Sequence, residues 1–165
     1  MNNGEHVYSP PRVVPAGIPA GIQSLLNGED LLSKTQALRI STVDADGWPH
    51  AAVLSAGEVL VLPNGRLRFL MFPNSVTAAN LVRDGRVTLT LSLDGGMCEL
   101  RMRARKYNDG TKDVPLAFFE AAVEEVREHH APYAEVTGGI SFALSEPSAV
   151  LGRWQRQIAA LRAAS

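Results

Sequence analysis

The chain has 165 residues, enough for one domain with its own core, and 45% of them are hydrophobic against 20% charged. Lys and Arg total 16 against 17 Asp and Glu, and the formal net charge of −1 gives no general attraction to nucleic acid or to an anionic membrane. Cys98 is the only cysteine, which excludes an intrachain disulfide and a thiolate metal cluster; its simplest role is that of a small buried hydrophobe.

Residues 1–20 are rich in Pro and Gly and are expected to form an extended arm ahead of a single domain over 21–165. The opening segment lacks the basic end and apolar run of a signal peptide, and no stretch is apolar enough for long enough to cross a bilayer, so a cytoplasmic location is expected. "IQSLLNGEDLL" (22–32) spaces apolar residues at helical intervals and reads as a short helix weakened by Gly28. "ALRISTV" (37–43) alternates like a half-buried strand, "DADGWP" (44–49) is a turn, and "HAAVLSAGEVLVL" (50–62) reads as one longer strand bent near Gly57. After "PNG" comes a third strand, "RLRFLMF" (66–72), and the three suggest an antiparallel meander.

"MFPNSVTAANLVRDGRVTL" (71–89) then runs from strand to tight bend to short helix to strand, with Ser75 a natural N-cap and Gly85 a natural stop. Such a corner presents backbone N–H groups and suits a phosphate, yet no lysine or arginine stands at its mouth. "RVTLTLSL" (86–93) is a fourth strand. In "MCELRMRARKY" (97–107), Arg101, Arg103 and Arg105 share one face and Leu100, Met102 and Ala104 the other, which fits a solvated strand face. "VPLAFFEAAVEEVREHH" (114–130) carries Leu116, Phe119, Val123 and Val126 at helical spacing and is expected to be an amphipathic helix, whose C-terminal dipole accounts for His129 and His130. "VTGGISFAL" (136–144) is expected to be a sixth strand and "PSAVLGRWQRQIAALRAA" (147–164) a closing helix. The sum is a mainly β protein with flanking helices, a six-stranded antiparallel barrel that is closed or nearly so.

From Ala37 to about Lys106 the pattern resembles the pyridoxamine 5′-phosphate oxidase-like, FMN-binding split-barrel family. "LRISTVDADGWPHAAVL" supplies a hairpin with Gly47, Trp48 and Pro49 at its turn. "LRFLMFPNSVTAANLVRDGRVTLTL" supplies the serine-containing bend and a short helix with Asn80 and Leu81, and "LRMRARKY" the long strand that follows. The resemblance implies a homodimer with flavin mononucleotide (FMN) at the subunit interface and a small-molecule oxidoreductase chemistry. It places the isoalloxazine along Val53, Leu54 and Ser55 and along Leu70 and Met71, with the phosphate near Ser75, Val76 and Thr77; His50 and Asn80 complete the candidate set. The family places an arginine three residues after the turn proline, where this chain has Ala52, and a basic pair after the bend serine, where it has Val76 and Thr77. Three positive groups are therefore missing together. Arg39, Arg66, Arg68, Arg86 and the three strand arginines are the candidate replacements.

Two further readings stay open on the sequence: a split-barrel dimer without enzymatic activity that has lost FMN or binds another ligand, and a protein using another flavin-like cofactor such as a deazaflavin. His50 fits either a cofactor contact or a strand-end cap, Trp48 either a partner contact or a pocket mouth, and Trp154 either packing or a flavin edge. No metal spacing, nucleophile elbow, P-loop or dinucleotide fingerprint is present. The expected partners are a second copy and a small molecule.

Overall fold

The computed structural model describes residues 8–15 and 17–163. Eight strands and three α-helices follow in the order β1 (Arg12–Val14), α1 (Ala20–Leu25), β2 (Leu38–Val43), β3 (Pro49–Leu54), β4 (Val59–Val61), β5 (Leu67–Met71), α2 (Val76–Arg83), β6 (Arg86–Leu93), β7 (Gly96–Asn108), β8 (Ala117–His129) and α3 (Pro147–Ala163). One antiparallel sheet runs β3-β2-β6-β7-β8-β5-β4, and β1 adds to β8 beside this path.

The connection between β3 and β4 fixes the shape of that sheet. These strands lie at opposite edges, yet only residues 55–58 join them. Laid flat, seven strands would put the edges about 29 Å apart at 4.7–4.9 Å per strand, whereas five residue steps reach about 18 Å at most. The sheet must therefore curl until its edges approach, which makes an open barrel whose seam lies between β3 and the edge formed by the short β4 and the end of β5. The core inside the curl includes Leu38, Ile40, Leu67, Phe69, Leu89, Leu100 and Phe119, all buried. Phe69 and Phe119 stack at 5.7 Å across β5 and β8.

Several expectations are corrected. The segment 50–62 is two strands, because a turn closed by Glu58 interrupts it at Ser55. The first three strands are consequently no meander; β3 pairs only with β2 and β4 only with β5. The helix expected over 22–32 shrinks to α1 and a separate 3-10 turn at Leu31–Ser33, since Gly28 takes a left-handed φ of +79° between them.

The largest correction is β8. Residues 117–129 pair with β5, β7 and β1 and form no helix. Two features disguised the strand. Residues 117–121 are buried on both faces, so no alternation shows. Further along, Arg101 pairs with Glu125 and Met102 with Val123, so Glu124 is an extra residue, a β-bulge. The bulge moves the inward set from 119, 121 and 123 to 126, which imitates helical spacing. His129 accordingly ends a strand and sits 3.2 Å from Glu99.

The strand expected at 136–144 is absent from the sheet; the segment makes a single bridge, Gln36 to Ser141, and leaves Ile140 exposed. Eight strands thus stand where six were expected, while β2, β6 and β7 lie where the sequence pattern puts them.

Candidate functional site

A cavity of about 700 Å³ opens at the seam, within the size range of small-molecule sites. One wall is β3, with His50, Ala52, Val53 and Leu54; the facing wall is β5 and its exit, with Leu70, Met71 and Phe72. The corner contributes Ser75, Val76 and Thr77, the loop before β8 contributes Asp113–Leu116, Glu58 comes from the β3–β4 turn, and α3 supplies Arg153, Arg156 and Gln157. Eight of the ten candidate residues therefore meet here: His50, Val53, Leu54, Leu70, Met71, Ser75, Val76 and Thr77.

The other two face elsewhere. Ser55 donates its Oγ–H to Glu58 Oε2 at 2.9 Å, and its backbone N–H donates to the same oxygen at 2.7 Å, which closes the β3–β4 turn. Asn80 is buried; its Nδ2 donates to Thr42 Oγ1 at 2.9 Å and its Oδ1 accepts from Arg83 at 3.2 Å, tying α2 to β2.

The corner itself is preorganised. Ser75 Oγ accepts from the Ala78 N–H at 3.1 Å as an N-cap, and its own proton goes to the Phe72 carbonyl at 2.8 Å. The one proton of the serine hydroxyl is thus already used. What remains for an anion is the first-turn N–H of Val76 and of Thr77, which have no backbone acceptor among the described residues, and the positive end of the helix dipole.

The arginines named as replacements are committed elsewhere or lie outside the cavity. Arg66 and Arg68 each contact Glu120 at 3.0 Å, Arg86 holds Asp84, and Arg101, Arg103 and Arg105 pair with Glu99, Glu124 and Glu120 on the outer face. Arg39 is exposed and does not line the cavity. The cations that do reach it are Arg153 and Arg156, exposed at the rim and ion-paired to no described residue. They are balanced in the lining by Glu58, which is occupied by Ser55, and by Asp113 at the surface.

The placement of α3 explains how they get there. Trp154, Ile158 and Leu161 form its buried stripe. Trp154 lies against the β3–β4 turn so closely that a Cβ built on Gly57 would meet its ring at 2.1 Å, and Phe142 meets it edge-on at 6.1 Å. At the other end, Arg68 donates to the Leu161 carbonyl at 2.9 Å. Positions 153, 156 and 157 share a face at i, i+3 and i+4, so this clamping aims them at the seam. Trp154 is therefore a packing residue and does not line the cavity. Trp48, 72% exposed at the hairpin tip, does not line it either.

An open antiparallel barrel with a cavity at its seam is the architecture of the pyridoxamine 5′-phosphate oxidase-like split barrels, and that is the fold of this chain. The chain belongs to the same family as the uncharacterized protein YclD of Bacillus subtilis, to which it is 33% identical over 141 residues, covering 84% of this chain and 91% of YclD. No family model matches. Among solved structures, HupZ of Group A Streptococcus superposes with a TM-score of 0.54 at 16% identity, covering 72% of this chain and 98% of HupZ. A second structure of HupZ, carrying a histidine-to-alanine substitution, gives the same TM-score at 17% identity over 68% of this chain and 99% of its own. These likenesses establish the fold. Among the described residues no helix is long and apolar enough to cross a membrane, and no group of three or more His, Cys, Asp and Glu could hold a metal.

Proposed function

We propose that the seam cavity binds a flavin-type cofactor, FMN in the first instance, and that the protein serves a small-molecule redox reaction. The observation that carries this reading is the meeting of Arg153 and Arg156, ion-paired to no described residue, with an apolar slot between β3 and β5 and a capped helix start. The slot suits a flat ring, held between Val53 and Leu54 on one side and Leu70 and Met71 on the other. The anionic tail has the free N–H groups at residues 76 and 77 and the two guanidiniums of α3, which replace the positive groups absent at Ala52, Val76 and Thr77. Charge-assisted bonds of this kind are about twice as strong as neutral ones.

A bound flavin would supply the electron transfer; this chain's residues hold and orient it. His50, on the cavity wall of β3, is the polar side chain placed to contact the ring or a substrate. The exposed apolar residues around the mouth, Val53 at 57%, Phe72 at 68% and Val76 at 53%, support a homodimer whose second copy covers the open side.

Titration of the purified chain with FMN, followed by flavin fluorescence and by sedimentation, tests both parts. Saturable quenching on a dimer is the expected result. A colourless protein that leaves FMN fluorescence unchanged refutes the flavin reading and favours the second one, a split barrel that has lost the cofactor, for which the uncharged positions 52, 76 and 77 and the already used Ser75 hydroxyl proton speak. In that case Ala52→Arg with Thr77→Lys should create an FMN affinity that the natural chain lacks.

A further inference from the structure

We propose that Gln157 selects the ligand of the seam cavity by pairing with a ligand edge that carries an N–H donor. The inference rests on the reading of that cavity as a flavin site and adds the chemistry by which the site discriminates. Gln157 lines the cavity and is only 6% exposed, and its Oε1 is closed to solvent and has no hydrogen-bond partner among the described residues. It shares the buried side of α3 with Trp154, Ile158 and Leu161, where an apolar side chain would serve packing equally well.

A buried acceptor with no donor is destabilising, and most native polar groups avoid that state. A turn of the amide that brings Oε1 to a ligand N–H in the cavity would remove that cost. The donor cannot be an anion: a phosphate or carboxylate offers only acceptors, and those match Arg153 and Arg156 on the same helix face. The two kinds of wall residue call for two different parts of one ligand, an anionic tail for the arginines and an amide- or imide-like edge for the glutamine. An FMN molecule has both, its imide N–H lying between two carbonyls. The last torsion of a glutamine side chain is broad and two-fold, so the amide can turn its oxygen toward such an edge and offer its NH₂ to the neighbouring carbonyl.

The test pairs a ligand change with a side-chain change. FMN and FMN methylated at the imide nitrogen are titrated calorimetrically into the natural chain, into Gln157→Met, and into Gln155→Leu as an exposed control on the same helix. The natural chain should prefer FMN over the methylated compound by about tenfold, Gln157→Met should bind FMN about tenfold more weakly and lose that preference, and Gln155→Leu should keep it. Ligand-free Gln157→Met should melt about 2–4 °C higher than the natural chain, because an unpaired buried acceptor has gone. Equal binding of the two flavins by the natural chain overturns the role of Gln157 while leaving the flavin site standing, and this arm needs no variant. A lower melting temperature for ligand-free Gln157→Met overturns it as well, since it would mean that the amide is already satisfied. A natural chain that binds neither flavin overturns the site reading itself, and the inference falls with it.

Discussion

Replacing Gly57 by alanine should loosen the whole functional wall although residue 57 is not part of it. The added Cβ would lie 2.1–2.4 Å from three carbons of the Trp154 indole. To regain an ordinary carbon–carbon separation of about 3.5–4.0 Å, the ring must withdraw by about 1.5 Å. It has little room to do so, because Trp154 is 3% exposed and Phe142 closes on it edge-on. Overpacking of this kind costs about 1–3 kcal/mol, and for a chain of this size each kcal/mol lowers the melting temperature by about 2–4 °C. The displaced helix carries Arg153, Arg156 and Gln157, so FMN affinity should fall together with stability. Urea denaturation gives the stability and flavin titration the affinity. Tryptophan emission provides a local check in a Trp48→Phe background, where Trp154 reports alone and should shift to the red. A variant with unchanged denaturation midpoint, emission and affinity would refute the claim that Gly57 seats the helix.

Arg153→Gln combined with Arg156→Gln should weaken FMN binding by about tenfold or more while changing riboflavin binding little, because riboflavin lacks the phosphate; parallel titrations decide it, and equal losses for both flavins would move the arginines away from the anion. Ser75→Ala removes an N-cap and should cost about 1 kcal/mol in denaturant unfolding, with weaker FMN binding as the first turn of α2 frays. Glu120 gives a pH prediction. Burial raises its pKa, but hydrogen bonds and charge from Arg68 and Arg66 outweigh that and hold it below the usual glutamate value. With the folded pKa depressed, the unfolded state binds the proton first on acidification. The stabilisation is therefore complete above the ordinary glutamate range and is lost as pH falls through the folded value. Glu120→Gln should be less stable than the natural chain near neutrality, and the gap should narrow on acidification.

The parts of this molecule that were legible in the sequence are those where one local rule acts alone. β2, β6 and β7 each bury one face, so Leu38, Ile40 and Thr42, or Leu100, Met102 and Ala104, announce themselves by alternation. The corner was legible because Ser75 and Gly85 bracket a single short helix. β8 was not, for two separate tertiary reasons: burial of both faces at residues 117–121 and a bulge at Glu124 that shifts the inward set by one position. Neither is a property of the segment by itself, since both depend on what lies beside it in the sheet. The split of 50–62 into two distant strands is of the same kind. Its local signal, Ser55 three residues ahead of Glu58, reads as a turn only once Glu58 is seen to hold both the Ser55 N–H and Oγ–H.

The candidate site was legible on its strand and corner side and missed on its helix side, and the missing half contains its arginines. Arg153 and Arg156 flank a tryptophan in the sequence, but their value depends on where α3 docks, which is set by a glycine almost one hundred residues earlier and by Arg68 on β5. One local signal did exist. Within the stripe formed by Trp154, Ile158 and Leu161, position 157 is polar, and a glutamine on the buried face of a helix asks what it pairs with. No described residue answers that question for its Oε1. Cations supplied by a helix are also conditional, because a strand arginine would be fixed by the sheet itself while Arg153 and Arg156 are only as well placed as the contact between Trp154 and Gly57. Flavin affinity in this chain should therefore track the seating of α3, and changes that loosen the helix without touching the cavity should lower affinity in proportion to the stability they remove.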